Sequence, residues 1–436
     1  MEAPSHNHAN YQARLDYIQR LLGDNYRLSD KVSTPLHRTI PKLSGTKITP
    51  VQYEAHFPFE YNNFVYRLSI PVDIPTTPRN ADVKLQQPGC VPQETHVQNE
   101  VAILTLASAA LQHIEPSIVP RVFGLGPASP GRLGWILQEL MPGVPLDDVF
   151  SPAGSLKQKK EILGQMARIL KGLQDYQLPP SIQGWGGLTF DDGGAIISAS
   201  MPTVGAGPWS SLQESYRGRI KVALGKAEEN PYLQGWLPNA VRERVEDFIE
   251  RGLPKQFADL SSSQDRAIIH ADFTEFPLHH HKEEIQSSDN LLYEPETGRL
   301  TALLDYDFSG ILRPAYEFFR SFAPDGGRFT GWISDRDPEG NELIALRMAK
   351  LSGEFPSPLP TSVVTPNGPG KHNVKRPSTI QGIDKLANVD ALLGTLTPWR
   401  LINKDFLRMN PDEGHRMELR RMGEEQLIAV LERIGF

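Results

Sequence analysis

Apolar positions recur along this chain with two different periods, and the change from one to the other divides it. Near the start Tyr11, Leu15, Ile18 and Leu22 fall at helical spacing in a charged background, which predicts an amphipathic packing helix. From Lys47 to Phe150 short β-type runs take over, notably Asn63 to Ile70 and Gly134 to Met141. Between them Val97, Val101, Leu104 and Leu111, with the small Ser108, outline the buried stripe of one helix. After Pro145 the helical period returns, with Ile162, Met166, Ile169 and Leu173 on one face.

Within this helical part sits a small β signal: Ala267 to Ile269, Leu291 to Tyr293, a turn through Glu294 to Gly298, and Leu300 to Leu304. Gly353 to Pro377 holds six prolines, the mark of a surface or flexible loop, and Asp412 to Ile434 closes the chain as a helix. The expectation is an α+β protein of two lobes: a helical extension over 1–46, a small β-rich lobe over 47–143, and a larger α-helical lobe over 144–436. A chain of 436 residues exceeds the size at which a single core usually stops growing, so a cleft between lobes is expected.

Composition narrows the function classes. A net charge of −7 gives no general attraction to nucleic acid or anionic membrane. The lone cysteine, Cys90, rules out an intramolecular disulfide and favours a reducing compartment. Neither a basic and apolar leader at the start nor an apolar run long enough to span a bilayer is present, so a soluble, cytoplasmic protein is expected.

The chemistry is concentrated in Ile268-Ile269-His270-Ala271-Asp272 and Leu303-Leu304-Asp305-Tyr306-Asp307. Two apolar strands each run into an acid. If the strands are neighbours, one carboxylate can receive a hydroxyl proton while the other holds Mg²⁺ on nucleotide phosphates. A single acid at a strand end would mean nothing, since such ends commonly face solvent.

These residues resemble the aminoglycoside phosphotransferase-like family, small-molecule kinases of the protein-kinase-like fold, with the likeness nearest to fungal members. Its catalytic loop reads His-x-Asp-x-x-x-x-Asn and its metal motif is an apolar strand ending in Asp. The resemblance implies Asp272 as catalytic base, His270 as its supporting residue, Asp305 as metal ligand and Asp307 as the trailing acid at the metal. ATP and Mg²⁺ would be the cofactors, and a hydroxyl-bearing small molecule the partner.

The family's Asn would fall at Pro277, which has no side-chain oxygen. Setting aside Pro277 to Asp289 restores the spacing with Asn290 as metal ligand, so an insertion over 277–289 is inferred. Either the insertion is a tolerated excursion whose ends meet, or it is a product of imperfect gene splicing, or it is a real change that disables the site and leaves a pseudokinase or nucleotide-binding module. An unrelated metal-dependent hydrolase using Asp272 and Asp305 is a third reading. His279, His280 and His281, with Glu283 and Glu284, lack the spacing of a metal site and read as a solvated loop.

By the same resemblance Lys84 would contact the phosphates and Glu100 would hold it, with Arg67 competing for the place of Lys84. Asn62 and Asn63 would make the turn over the phosphates, and backbone near Glu139 and Leu140 would meet adenine. The acceptor pocket is expected around Tyr316, Glu317 and Asp325; aminoglycoside, choline, homoserine and ketosamine kinases share the fold, so the substrate stays open.

Overall fold

The computed structural model describes residues 10–26, 47–51, 63–69, 80–86, 95–150, 155–258, 260, 265–273, 290–321, 349, 352, 354, 379–380 and 382–436. The expected insertion over 277–289 and almost all of the Pro-rich stretch over 353–377 lie outside these residues.

The first lobe is a five-stranded antiparallel sheet. Its strands are β1 (Lys47–Pro50), β2 (Asn63–Ser69), β3 (Asn80–Gln86), β4 (Val122–Gly126) and β5 (Trp135–Glu139), in the order β1-β2-β3-β5-β4. Strand alternation assigns its two faces. Phe64, Tyr66 and Leu68 on β2, Val83 and Leu85 on β3, and Leu137 on β5 point to one side. There they meet Ile18, Leu21 and Leu22 of α1 (Tyr11–Tyr26), the amphipathic helix expected from the sequence. Arg14 of α1 lies over the Phe64 ring and donates to the Tyr66 hydroxyl at 2.8 Å.

Lys84 lies between Val83 and Leu85 and so faces the other side of the sheet. Its cross-strand neighbour Ile136 packs there on Val97 and Val101 of α2 (His96–Ala110). The sequence marked one buried stripe on α2, with Ser108 on it. The helix is instead buried on most of its circumference and Ser108 is exposed. Ala102, Ile103, Leu106 and Ala107 belong to a core shared with the second lobe, so α2 is held between sheet and C-lobe.

A short strand β6 (Val144–Pro145) and helix α3 (Leu146–Val149) lead into that lobe. Its upper part combines α4 (Leu156–Asp175) with two hairpin-like pairs, β7 (Gly187–Phe190) with β8 (Ile196–Ala199), and β10 (Leu291–Glu294) with β11 (Arg299–Leu303). A third pair joins β9 (Ala267–Ile269) to β12 (Gly310–Leu312). The lower part is a helical core. It gathers α5 (Leu212–Glu229), α6 (Val241–Asp247), α8 (Pro314–Ser321), α9 (Ile383–Leu396) and α12 (Glu413–Arg433) around Trp236, Phe248, Leu386 and Leu427. Two shorter helices, α10 (Trp399–Ile402) and α11 (Lys404–Met409), precede α12, and α7 (Leu253–Phe257) follows α6. The result is the expected α+β architecture, a β-rich N-lobe and a helical C-lobe.

Candidate active site

One lysine and three carboxylates meet where the sheet, α2 and the segment after β11 converge. Lys84 Nζ donates to Glu100 Oε1 at 3.0 Å and Oε2 at 3.2 Å, to Asp305 Oδ1 at 2.7 Å and to Asp307 Oδ1 at 2.6 Å. The pairing of Lys84 with Glu100 matches the expectation, and Arg67 is exposed on β2. Lys84, Glu100 and Asp307 are almost fully buried, whereas 39% of the Asp305 side chain is exposed, so Asp305 is the most accessible member of the cluster.

Burial acts against the Lys84 ammonium, but Asp305, Asp307 and Glu100 outweigh it and hold its pKa well above the usual lysine range. Lys84 is therefore a permanent cation. Burial lifts the Glu100 carboxyl well above the usual carboxylate range. Burial also works against the Asp307 carboxylate, but Lys84 and then His96 overcome it and hold its pKa well below normal.

Asp307 has two further neighbours from the N-lobe. Asn63 at the start of β2 donates its Nδ2 to Asp307 Oδ2, and His96 Nε2 at the start of α2 lies 3.4 Å from Oδ1. Asn63 thus meets the acid cluster, a contact that the turn expected at Asn62 and Asn63 did not specify; Asn62 lies outside the described residues. His96 was not singled out in the sequence, because a His at a helix start carries no spacing signal.

The His270-Ala271-Asp272 motif is built differently from the simple picture of two neighbouring strands. β9, which precedes His270, pairs with β12, while β11, which precedes Asp305, pairs with β10. One side-chain hydrogen bond joins the ends of β9 and β11 instead, and a backbone bond extends the β10–β11 pair to Asn290. His270 Nε2 donates to the Leu304 carbonyl at 2.8 Å, and the Leu304 N–H donates to the Asn290 carbonyl at 2.8 Å. His270 is wholly buried, and desolvation lowers its pKa to about 4, so the ring is neutral at physiological pH.

Asn290 also reaches Asp272. Its Nδ2 donates to the Asp272 carbonyl at 2.8 Å and to Asp272 Oδ2 at 3.0 Å, across a separation of 18 residues. The restored spacing inferred from the sequence is therefore a contact in space. The backbone is left-handed at two non-glycine positions of the site, Ala271 at φ +65° and Asp305 at φ +55°. Such conformations are unfavourable for residues with a Cβ and persist where surrounding contacts hold them.

Glu317 supplies those contacts at Ala271. Its carboxylate accepts the His270 N–H at 2.7 Å and the Ala271 N–H at 2.9 Å, and it also takes the Ser321 hydroxyl. The sequence had placed Glu317 and Tyr316 in an acceptor pocket. Glu317 is 1% exposed beneath the His270–Asp272 segment, and Tyr316 is buried against the Arg219 guanidinium. Asp325 lies outside the described residues.

Glu139 ends β5 and Leu140 follows it, where the chain leaves the sheet for β6. The Glu139 N–H donates to the Arg121 carbonyl at 2.8 Å, and its side chain accepts from the Arg121 guanidinium. Oxygen atoms of Glu100, Asp305 and Asp307 lie within 4.8 Å of one another, a hard-donor set of the type that Mg²⁺ takes. Both Glu100 oxygens accept from Lys84, Asp307 accepts from Lys84 at Oδ1 and from Asn63 at Oδ2, and Asp305 accepts from Lys84 at Oδ1.

The sequence model described as the phosphotransferase enzyme family matches residues 76–344, a span from just before β3 to beyond α8. No curated protein matches the chain. Among solved structures, the streptomycin–ATP ternary complex of APH(2″)-IIa is 11% identical with a TM-score of 0.42, covering 85% of this chain and 93% of that one. Aminoglycoside 2′-phosphotransferase-IIIa in its GDP complex is 11% identical with a TM-score of 0.42, covering 95% and 99%. ADP-bound APH(2″)-Ib is 10% identical with a TM-score of 0.41, covering 88% and 94%. All three are distant likenesses. Among the described residues, no helix is long and apolar enough to cross a membrane.

Proposed function

The chain belongs to the phosphotransferase enzyme family, and on that premise we propose that it is an ATP-dependent kinase of a hydroxyl-bearing small molecule. The observation that carries this reading is the contact of Asn290 with Asp272. An insertion that dismantled the catalytic loop would have separated these two residues. Their contact favours an assembled site over a nucleotide-binding module that has lost its chemistry.

In this reading Asp272 is the base. Asn290 donates to its Oδ2, and the carboxylate accepts the acceptor's proton as the acceptor's oxygen bonds to the γ-phosphorus. The bond from the γ-phosphorus to the bridging oxygen breaks, and the nucleoside diphosphate leaves with that electron pair. His270 takes no proton: neutral, buried and donating to Leu304, it holds the loop against the segment that carries Asp305. Lys84 provides fixed positive charge to the phosphates, and Glu100 keeps it in place.

Asp305 and Asp307 would hold Mg²⁺, with the Asn290 side-chain oxygen as a third ligand. Bound there, the cation would neutralise charge on the nucleotide phosphates. Asn63, which donates to Asp307, would lie over the phosphates, and the backbone at Glu139 and Leu140, where β5 ends, would meet adenine. The residue ranges 1–46, 47–143 and 144–436 remain the proposed division into extension, nucleotide-binding lobe and catalytic lobe, and the reducing cytoplasm the proposed setting.

A thermal-shift titration with ATP tests the reading directly. A ligand that binds only the folded chain raises its melting temperature by mass action, about 2.7 kcal/mol of stability at a hundredfold excess over Kd. The expected result is a rise that requires Mg²⁺ and is lost in Asp305→Ala. A chain whose melting temperature ignores saturating Mg²⁺ and ATP is not a kinase.

A further inference from the structure

We propose that Asn99 is a positioning residue that locks the helix bearing Glu100 to the segment bearing Asp305 and Asp307, an assignment that rests on the kinase reading above. Asn99 is fully buried, one residue before Glu100 on α2. Its carboxamide joins three elements. Oδ1 accepts the Leu188 N–H of β7 at 2.7 Å, and Nδ2 donates to the Ser309 carbonyl at 3.1 Å. Ser309 lies two residues beyond Asp307, and its hydroxyl donates to the His270 carbonyl at 3.0 Å. One continuous path therefore runs from α2 through Ser309 to the catalytic loop.

Two features of the junction accord with this role. A Cβ on Gly187 would lie 2.2 Å from the Ser200 carbonyl and 3.0 Å from Asn99 Oδ1, so the glycine is required first by the Ser200 backbone and also leaves the Asn99 oxygen its close approach to β7. The apolar surface of α2 divides in the same sense. Ala102, Ile103, Leu106 and Ala107 pack with Leu188, Ile268 and Ile311 of the C-lobe, while Val97 and Val101 meet Ile136 of the sheet. Asn is a poor residue inside a helix, where its side chain competes for backbone groups; here that side chain bonds outward to two other segments. Glu100 is thus set in register with Asp305 and Asp307 by the C-lobe, and the sheet brings Lys84 to a site already assembled.

A purely structural asparagine would cost stability alone. Positioning predicts a loss of turnover per folded molecule, because a small displacement of catalytic groups is expensive. The test uses the full chain with Asn99→Asp, which keeps an oxygen for Leu188 but sets another against the Ser309 carbonyl, and with Asn99→Ala, which removes both bonds. Hydrogen exchange is followed over 186–190 and 305–312, and Mg²⁺- and ATP-dependent turnover is measured well below each melting temperature. In Asn99→Asp, protection over 186–190 should persist while that over 305–312 falls, and kcat should drop at least tenfold with the acceptor KM within threefold. In Asn99→Ala both segments should lose protection.

Unchanged exchange over 305–312, or a kcat within twofold of the original in Asn99→Asp, overturns the proposal. So does a loss of activity that merely follows the unfolded fraction. Asn99→Asp preserves side-chain volume and keeps the test open if Asn99→Ala does not fold. If the unmodified chain shows no nucleotide-dependent turnover, the kinase reading fails by itself, and the exchange measurements alone then decide the lock.

Discussion

Glu317 touches no reacting group in the proposed chemistry, yet three donors converge on its carboxylate and two of them are the backbone N–H groups of His270 and Ala271. Each buried N–H left without an acceptor costs about 1–3 kcal/mol. Glu317→Ala orphans two and should lower the unfolding free energy by at least about 2 kcal/mol in urea titrations, with Glu317→Gln lowering it less. His270 yields a pH dependence of known sign. Its folded pKa of about 4 lies below the ordinary 6.5, so the unfolded chain binds the proton first as pH falls. The stabilisation is complete above pH 6.5 and is lost on descending towards pH 4, up to about 3 kcal/mol for this one group. Urea midpoints at pH 7.5 and 4.5 should therefore differ more in the parent chain than in His270→Gln; equal differences contradict the assignment. Asp272, Asp305 and Asp307 were legible because acids after apolar strands form a recognisable string. Glu317 and Asn99 were not, since their partners are backbone groups far away in sequence.

At the scale of elements, strand alternation was the most informative signal. The alternation that sends Val83 and Leu85 towards α1 also turns Lys84 towards Glu100, so the ion pair follows from the strand pattern once α2 is known to lie on that side. What the sequence could not give was strand pairing. β9 and β11 looked like neighbours because each leads into an acid, but β12 takes the place beside β9, and His270 makes the connection by its side chain. Short apolar strands pair by tertiary context, which no local pattern records. Helix α2 shows the same limit: its residues read as one buried stripe, and a second packing surface appeared only with the C-lobe around it. The insertion inferred over 277–289 has the clearest testable consequence. Asn290 already bonds to Asp272, so removing residues 277–289 should leave the Kd for Mg²⁺ and ATP and the turnover within threefold of the parent. A tenfold gain on deletion would mean that the segment obstructs the site.

For the molecule as a whole, the two-lobed plan was visible in the switch from β-type to helical periodicity, and the site lies where that switch brings the parts together. The sheet has its own core with α1, while the core containing α2 extends through β7, β9 and β11 of the second lobe. Lys84 therefore arrives from one body and the carboxylates are ordered by the other. The acceptor remained illegible in the sequence because its pocket has no motif: Glu317 and Tyr316, the residues nearest to such a reading, are committed to the interior. The central claim is that Asp272 accepts the acceptor's proton in phosphoryl transfer, and a general base contributes typically about 10²–10⁴-fold. The measurement that tests it most directly is ATP turnover across a panel of hydroxyl-bearing small molecules, comparing the parent chain with Asp272→Asn at matched folded fraction. The account predicts acceptor-dependent ADP release that falls at least a hundredfold in Asp272→Asn with the melting temperature little changed. Equal turnover in the two proteins would contradict it.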